Sequence, residues 1–165
     1  MIYLIACAIA VTADQLLKHW VVLNIKPGTV RPLLPGLLSI TNVQNFGAAF
    51  SILQNMRWLF VAANGIFIVL ALWAYFKKKV TYTFGRWSLA AIMAGSIGNC
   101  IDRIKVGYVV DMFSFDFINF AIFNIADCLI VGGTILFCIY LFFFYEKKEP
   151  QKLPVKGDDD ENAEN

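Results

Sequence analysis

The sequence has a single histidine, His19, and only four cysteines, Cys7, Cys100, Cys128 and Cys138. This scarcity excludes several kinds of chemistry. No Cys-x-x-Cys pair and no His/Cys spacing suits a tetrahedral zinc site, so neither a metal nor another cofactor is expected. All four cysteines lie in apolar stretches and read as small buried residues. Cys128 adjoins Asp127, but on a helix it points about 100° away from it. His19 belongs to a different apolar run, so a Cys–His nucleophile pair is not expected. Charge is also scarce: 16% of residues are charged and the net charge is +2. No basic stripe with interleaved aromatics is present, which sets nucleic acid aside as a partner. No internal repeat is visible.

Apolar residues are abundant instead. The chain is 59% hydrophobic and 15% aromatic, outside the range of an ordinary soluble domain. Its 165 residues suffice for a few membrane spans with short connections. The apolar run 1–25 lacks a basic segment before it, as a secretory leader would have, and reads as a retained transmembrane helix. Asp14 and Lys18 interrupt it at i, i+4 on one face, as a neutralising pair or as the wall of a polar cavity. Residues 26–57 hold Pro27-Gly28, Pro32, Pro35-Gly36 and an alternating piece from Leu38 to Val43. They read as turns and short strands outside the membrane. The second span is 58–76, interrupted by Asn64-Gly65 and flanked by Trp58, Trp73 and Tyr75 as interfacial anchors. The third, 87–101, spans if it continues through Lys105. Ala91, Ala94, Gly95 and Gly98 there favour close helix packing. At its far end Asn99, Asp102 and Arg103 share a face, as a buried clamp or as a holder of backbone. Residues 105–120 have strand character, with Asp116 facing water, and 121–144 form the fourth span. The chain then divides into an integral membrane domain, 1–146, and an acidic tail, 147–165, expected to be disordered and cytoplasmic.

Lysine and arginine set the topology. Lys77, Lys78, Lys79, Arg86, Lys147, Lys148, Lys152 and Lys156 fall on one side and fewer on the other. By the positive-inside rule both termini are cytoplasmic. Asn45, Asp102, Asp111, Asn124 and Asp127 then gather at the outer face. An Asp at a helix centre costs roughly 2.5–3.5 kcal/mol on insertion scales, less near the ends. Packing does not explain such a residue, because leucine would serve better. Two carboxylates at one site, Asp111 and Asp127, cannot both ionise cheaply, so the pair retains a proton. Such a pair can activate a water with one member and polarise a carbonyl with the other, which points to amide hydrolysis without a covalent intermediate. Intramembrane carboxylates also mark proton-coupled transporters, which is the alternative reading. A scaffold whose charges only pair helices is a third, but it leaves Asp111 unexplained.

Five pieces in order extend the argument: Asp14-Gln15-x-x-Lys18, Asn45-x-Gly47-Ala48-Ala49-Phe50, Gly95-x-x-Gly98-Asn99-x-x-Asp102-Arg103, Val109-Val110-Asp111 and Phe123-Asn124-x-Ala126-Asp127. In order and spacing they resemble signal peptidase II, the prolipoprotein signal peptidase of bacterial membranes. The resemblance implies a four-helix transmembrane fold, all-α apart from a small extracytoplasmic β-sheet, with an interfacial helix. It implies an aspartic endopeptidase of the inner membrane with Asp111 and Asp127 as catalytic pair. Asn45, Gly47, Asn99, Asp102, Arg103, Asn124 and Ala126 would position substrate and brace the pair, and Asp14 and Lys18 would support the site. The implied substrates are diacylglyceryl-modified prolipoproteins, cut before the lipidated cysteine. Membrane lipids and globomycin-type inhibitors are the other implied partners, and a monomer is expected. Phe46, and Ala94-Gly95-Ser96, depart from the pattern without touching the acids.

Overall fold

The computed structural model describes residues 1–47 and 52–145. The acidic tail lies outside the described residues, as do Ala48, Ala49 and Phe50. Four long helices and a three-stranded sheet make up the rest. In chain order they are α1 (Ile2–Asn24), β1 (Arg31–Leu34), β2 (Leu38–Asn45), α2 (Arg57–Phe76), α3 (Thr83–Lys105), β3 (Val109–Phe115) and α4 (Ile125–Phe144). Three of them, α1, α2 and α4, are long and apolar enough to cross a bilayer. Their side chains explain why they need lipid. In α2 only Ala71 is fully buried, while Leu59, Ile66, Val69, Leu70 and Trp73 are exposed. Apolar residues on every side make a helix that is stable only in hydrocarbon or in a core.

The remaining helix, α3, is the axis of the bundle and packs against α1, α2 and α4. It is rich in small residues, which permit this. A Cβ on Gly95 would collide with the Ala126 carbonyl oxygen, and one on Gly133 would come within 3.0 Å of the Ser88 carbonyl oxygen. Backbone thus meets backbone along the α3–α4 seam, as small-residue helix pairs do in membranes. α2 continues unbroken through Asn64-Gly65, where the sequence predicts an interruption.

The sheet is antiparallel in the order β1-β2-β3 and stands at one end of the bundle. Val21 and Ile25 at the end of α1 pack with Ile40, Val110 and Met112, which seats the sheet on the helices. Asn42 Nδ2 donates to the Ile25 carbonyl at 2.8 Å and ties the seat. Register places Val43 opposite Asp111 and Asn45 opposite Val109. Asn45 and Asp111 are therefore diagonal neighbours on one face, within reach of each other. The opposite end of the bundle has an apolar core of Cys7, Ala71, Val80, Leu89, Met93, Ala94 and Tyr140.

The last helix starts later than hydropathy predicts. It begins at Ile125 and not near residue 121, because Phe123 is extended and bridges Phe113 of β3. Asn124 is the N-cap and Asp127 the third helical residue. Each side chain accepts the other's backbone N–H, at 2.9 and 3.1 Å, in a capping box. Asp127 thus belongs to the first turn of α4. Ahead of α2, residues 52–55 form a turn, with Leu53 and Asn55 at positive φ.

Candidate active site

Polar side chains from α1, β2, α3, β3 and α4 meet where the sheet joins the bundle. A cavity of about 410 Å³ opens there, lined by Asn45, Gly47, Asn99, Arg103, Asp111 and Asp127 on its polar side. Phe115, Phe120, Phe123, Ile130 and Val131 form the apolar wall. Asp14, Lys18, Asp102, Asn124 and Ala126 stand behind the polar side. All eleven residues that the sequence singles out are thus in one neighbourhood, six at the cavity and five in support.

Hydrogen bonds fix how each carboxamide is turned. Asn124 Oδ1 accepts the Asp127 N–H, so its Nδ2 is free to donate to Asp111 Oδ1 at 2.6 Å. Asn45 Oδ1 accepts the Gly47 N–H at 2.9 Å, and Nδ2 donates to Asp111 Oδ2 at 2.8 Å. Asn99 Oδ1 accepts from Lys18 Nζ at 2.9 Å, and Nδ2 donates to Asp127 Oδ1 at 2.8 Å. In each case an obligate donor, backbone N–H or ammonium, sets the oxygen and leaves the amide hydrogens for an acid. Asn124 therefore touches both acids.

Lys18 is 3% exposed and is the hub behind the cavity. Its ammonium lies 2.9 Å from Asp14 Oδ2 and 2.8 Å from Asp102 Oδ2. With Asn99 Oδ1 these acceptors use its three hydrogens. Asp14 and Asp102 in turn hold backbone: Asp14 Oδ1 accepts the Ala126 N–H at 3.1 Å, and Asp102 Oδ2 accepts the Val110 N–H at 3.3 Å. These are the residues immediately before Asp127 and Asp111. Arg103 Nη2 donates to the Gly47 carbonyl at 2.8 Å, and its guanidinium lies 4.6 Å from the Phe60 ring centroid. Asp102 and Arg103 thus hold backbone, one of the two roles open from sequence, and they do so separately: Asp102 pairs with Lys18.

Close approach explains the small residues. A Cβ on Gly47 would stand 2.5 Å from the Ile52 carbonyl oxygen, and one on Gly98 would stand 2.6 Å from Asp14 Oδ2. Ala126 is fully buried between α3 and Asp14.

Asp111 is 2% exposed. Burial first, and then the charge of Asp127, push its carboxyl up to about 7. Hydrogen bonds from Asn45 and Asn124, and the charge of Lys18, oppose the shift. The sequence reading quotes one further residue, Gln15, within a motif but gives it no role. Gln15 Nε2 donates to Asp102 Oδ1 at 2.8 Å and to the Gly98 carbonyl at 3.2 Å. Its signal was a polar side chain between Asp14 and Lys18 in an apolar run. Among the described residues no cluster of His, Cys, Asp and Glu could hold a metal ion.

Comparison with known proteins gives a consistent result. The family model described as Signal peptidase (SPase) II matches residues 6–143. A protein named lipoprotein signal peptidase from Streptococcus pyogenes serotype M6 is 41% identical over 141 residues, 86% of this chain and 93% of that protein. One of the same name from Lactococcus lactis is 41% identical over 90% of this chain and 98% of its own. Another from Clostridioides difficile is 38% identical over 89% and 99%. Among solved structures, a bacterial membrane enzyme determined in meso at 2.3 Å superposes with a TM-score of 0.83 at 29% identity. That match covers 92% of this chain and 93% of the other.

Proposed function

The chain belongs to the signal peptidase II family, and on that premise we propose that it removes signal peptides from diacylglyceryl-modified prolipoproteins through a water held between Asp111 and Asp127. That it is a bacterial membrane peptidase follows from the family. The observation that carries the finer reading is the pair itself: both acids line one cavity, and Asn124 bonds to each.

The surroundings of the two acids differ, and that difference supports a division of work between them. Asp127 accepts from Asn99 Nδ2 and from the Asn124 N–H, and sits in the first turn of α4. The positive end of a helix dipole favours an anion there. Asp111 lies on a strand without that field. In our reading Asp127 is the ionised base and Asp111 holds the proton. Water attacks the scissile carbonyl carbon as Asp127 takes its proton and Asp111 gives its own to the carbonyl oxygen. The tetrahedral diol collapses when Asp127 returns a proton to the leaving nitrogen and Asp111 recovers one from a hydroxyl. Atoms balance with water as the only co-reactant.

The lipidated cysteine keeps its acyl chains in the bilayer, so the scissile bond stays at the membrane rim. The apolar wall beside the acids suits that substrate, and globomycin-type inhibitors would occupy the same cleft. Both termini would be cytoplasmic and the cavity extracytoplasmic. The transporter alternative is not favoured. Among the described residues the polar cluster stops at one end, and an apolar core with Cys7, Ala71, Leu89, Met93 and Ala94 lies beyond it.

The test is incubation with a lipidated prolipoprotein, with and without globomycin, and mass analysis of the product. The expected cut is immediately before the modified cysteine. Asp111→Asn and Asp127→Asn should each abolish cleavage while the protein still inserts. Appreciable turnover by either purified variant would remove the dyad.

A further inference from the structure

A second cavity, of about 590 Å³, lies at the end of the bundle away from the acids. Lys78, Lys79, Tyr82, Tyr140, Phe144 and Tyr145 line it. Among the described residues that line it, none is acidic.

The lysines stem from a pinned turn. The Lys79 N–H donates to the Ala74 carbonyl at 2.9 Å and the Lys78 N–H to the Tyr75 carbonyl at 3.1 Å. Lys78 takes a left-handed φ of 52° to make that turn. Val80 is 5% exposed, and its carbonyl accepts from Arg86 Nε at 3.0 Å. Two further features favour an anion. Tyr82 is the N-cap of α3 and contributes no side-chain capping bond, so the positive end of that helix stays uncompensated by its own cap. Tyr140 is 1% exposed, and its ring packs where a Cβ on Gly85 would be 2.8 Å away. Tyr140 lines the cavity, and its hydroxyl is not among the buried side-chain atoms left unpaired, so it stays open to what occupies the space. Two lysines, a helix N-terminus and a tyrosine thus border one space at the ends of membrane helices.

We infer that this cavity binds the phosphate head group of an anionic phospholipid. The lysines supply charge and Tyr140 a hydrogen bond. Basic pockets between membrane helices take such head groups, and the surrounding Tyr82, Phe144 and Tyr145 suit the level where head group gives way to acyl chain. A lipid fits the position better than free phosphate, because α4 presents exposed Leu141, Phe142 and Phe143 beside the cavity for the acyl chains.

Lys77 makes the test sharp. It carries the same charge one position earlier and does not line the cavity. The full-length chain in detergent is titrated with phosphatidylglycerol or phosphatidylcholine, and bound lipid is counted by native mass spectrometry. Phosphatidylglycerol should be retained preferentially. Lys78→Gln and Lys79→Gln should each weaken retention about five-fold, and together about thirty-fold, at roughly 1 kcal/mol per lysine. Tyr140→Phe should weaken it too, and Lys77→Gln should leave it unchanged. Equal loss in Lys77→Gln would mean diffuse surface attraction and overturn the site. So would equal retention of the two lipids. Displacement by inorganic phosphate at the concentrations that bind phosphatidylglycerol would assign the cavity to the free anion and overturn the lipid.

Discussion

A carboxyl that titrates at about 7 leaves a mark on the reaction and another on stability. In the proposed chemistry Asp111 must hold its proton, so kcat should fall as pH rises through about 7. Asn45 donates to Oδ2 of this acid and favours its anion. Asn45→Ala removes that support, so the alkaline limb should move to higher pH; a pH–rate profile of both proteins reads it, and an unmoved limb would assign the titration elsewhere. For stability the folded carboxyl binds a proton more tightly than the unfolded one at 3.8. Its contribution is therefore complete below about 3.8 and is lost as pH climbs through about 7. Thermal unfolding of Asp111→Asn in detergent should lack this decline. Lys18 is decisive in another way. Lys18→Met strands two buried carboxylates, Asp14 and Asp102, and should cost about 3–5 kcal/mol. Asp102→Asn leaves the lysine with Asp14 and should cost less, with part of its effect on activity arriving through stability. Denaturation of the two variants in detergent ranks them, and the reverse order would refute the hub.

At the scale of elements the α3–α4 seam sets where Asp127 stands. Gly95→Ala forces a methyl onto the Ala126 carbonyl, so the first turn of α4 must move and cleavage should drop although no acid is altered. Gly65→Ala, in open space on α2, should leave cleavage intact and stabilise its helix by about 0.5–1 kcal/mol. Assays beside melting curves separate the two. The elements also show what a sequence displays and what it hides. Hydropathy located every long helix, because lipid-facing residues such as those of α2 carry their reason in their composition. It misplaced the start of α4, since 121–123 are as apolar as a helix and yet extended. The capping pair Asn124 and Asp127 held that boundary. β2 and β3 were legible from alternation, but their register was not, because it depends on the bulge between Ile40 and Val43. The residues of the candidate site were legible as motifs. Its wiring was not: Asp102 and Arg103 are sequence neighbours, whereas Asp102 pairs with Lys18 on another helix. Gln15 was quoted within a motif, but its partners lie on α3, where spacing gives no hint.

At the scale of the molecule, the polar cluster and the lysine turn mark opposite ends, and topology can be tested on exposed positions. In a chain cleared of its native cysteines, Asp116→Cys should react with an impermeant maleimide on intact cells, and Thr81→Cys only after permeabilisation. The reverse pattern would turn the protein over. The Asp14–Lys18 pair matters at a different moment, during synthesis. Lys18 meets Asn99 across a separation of 81 residues, and Asp102 lies on the same later helix. A chain made from its N-terminus must hand α1 to the bilayer before those partners exist. Asp14, one turn away at 2.9 Å, lets that helix enter with its charges matched. When α3 arrives, the lysine widens its allegiance to three acceptors. Asp127 and Asn124 come last, on α4. A nascent chain therefore carries no complete pair of acids until its final span is in place, and under the proposed mechanism proteolytic competence would coincide with the end of insertion.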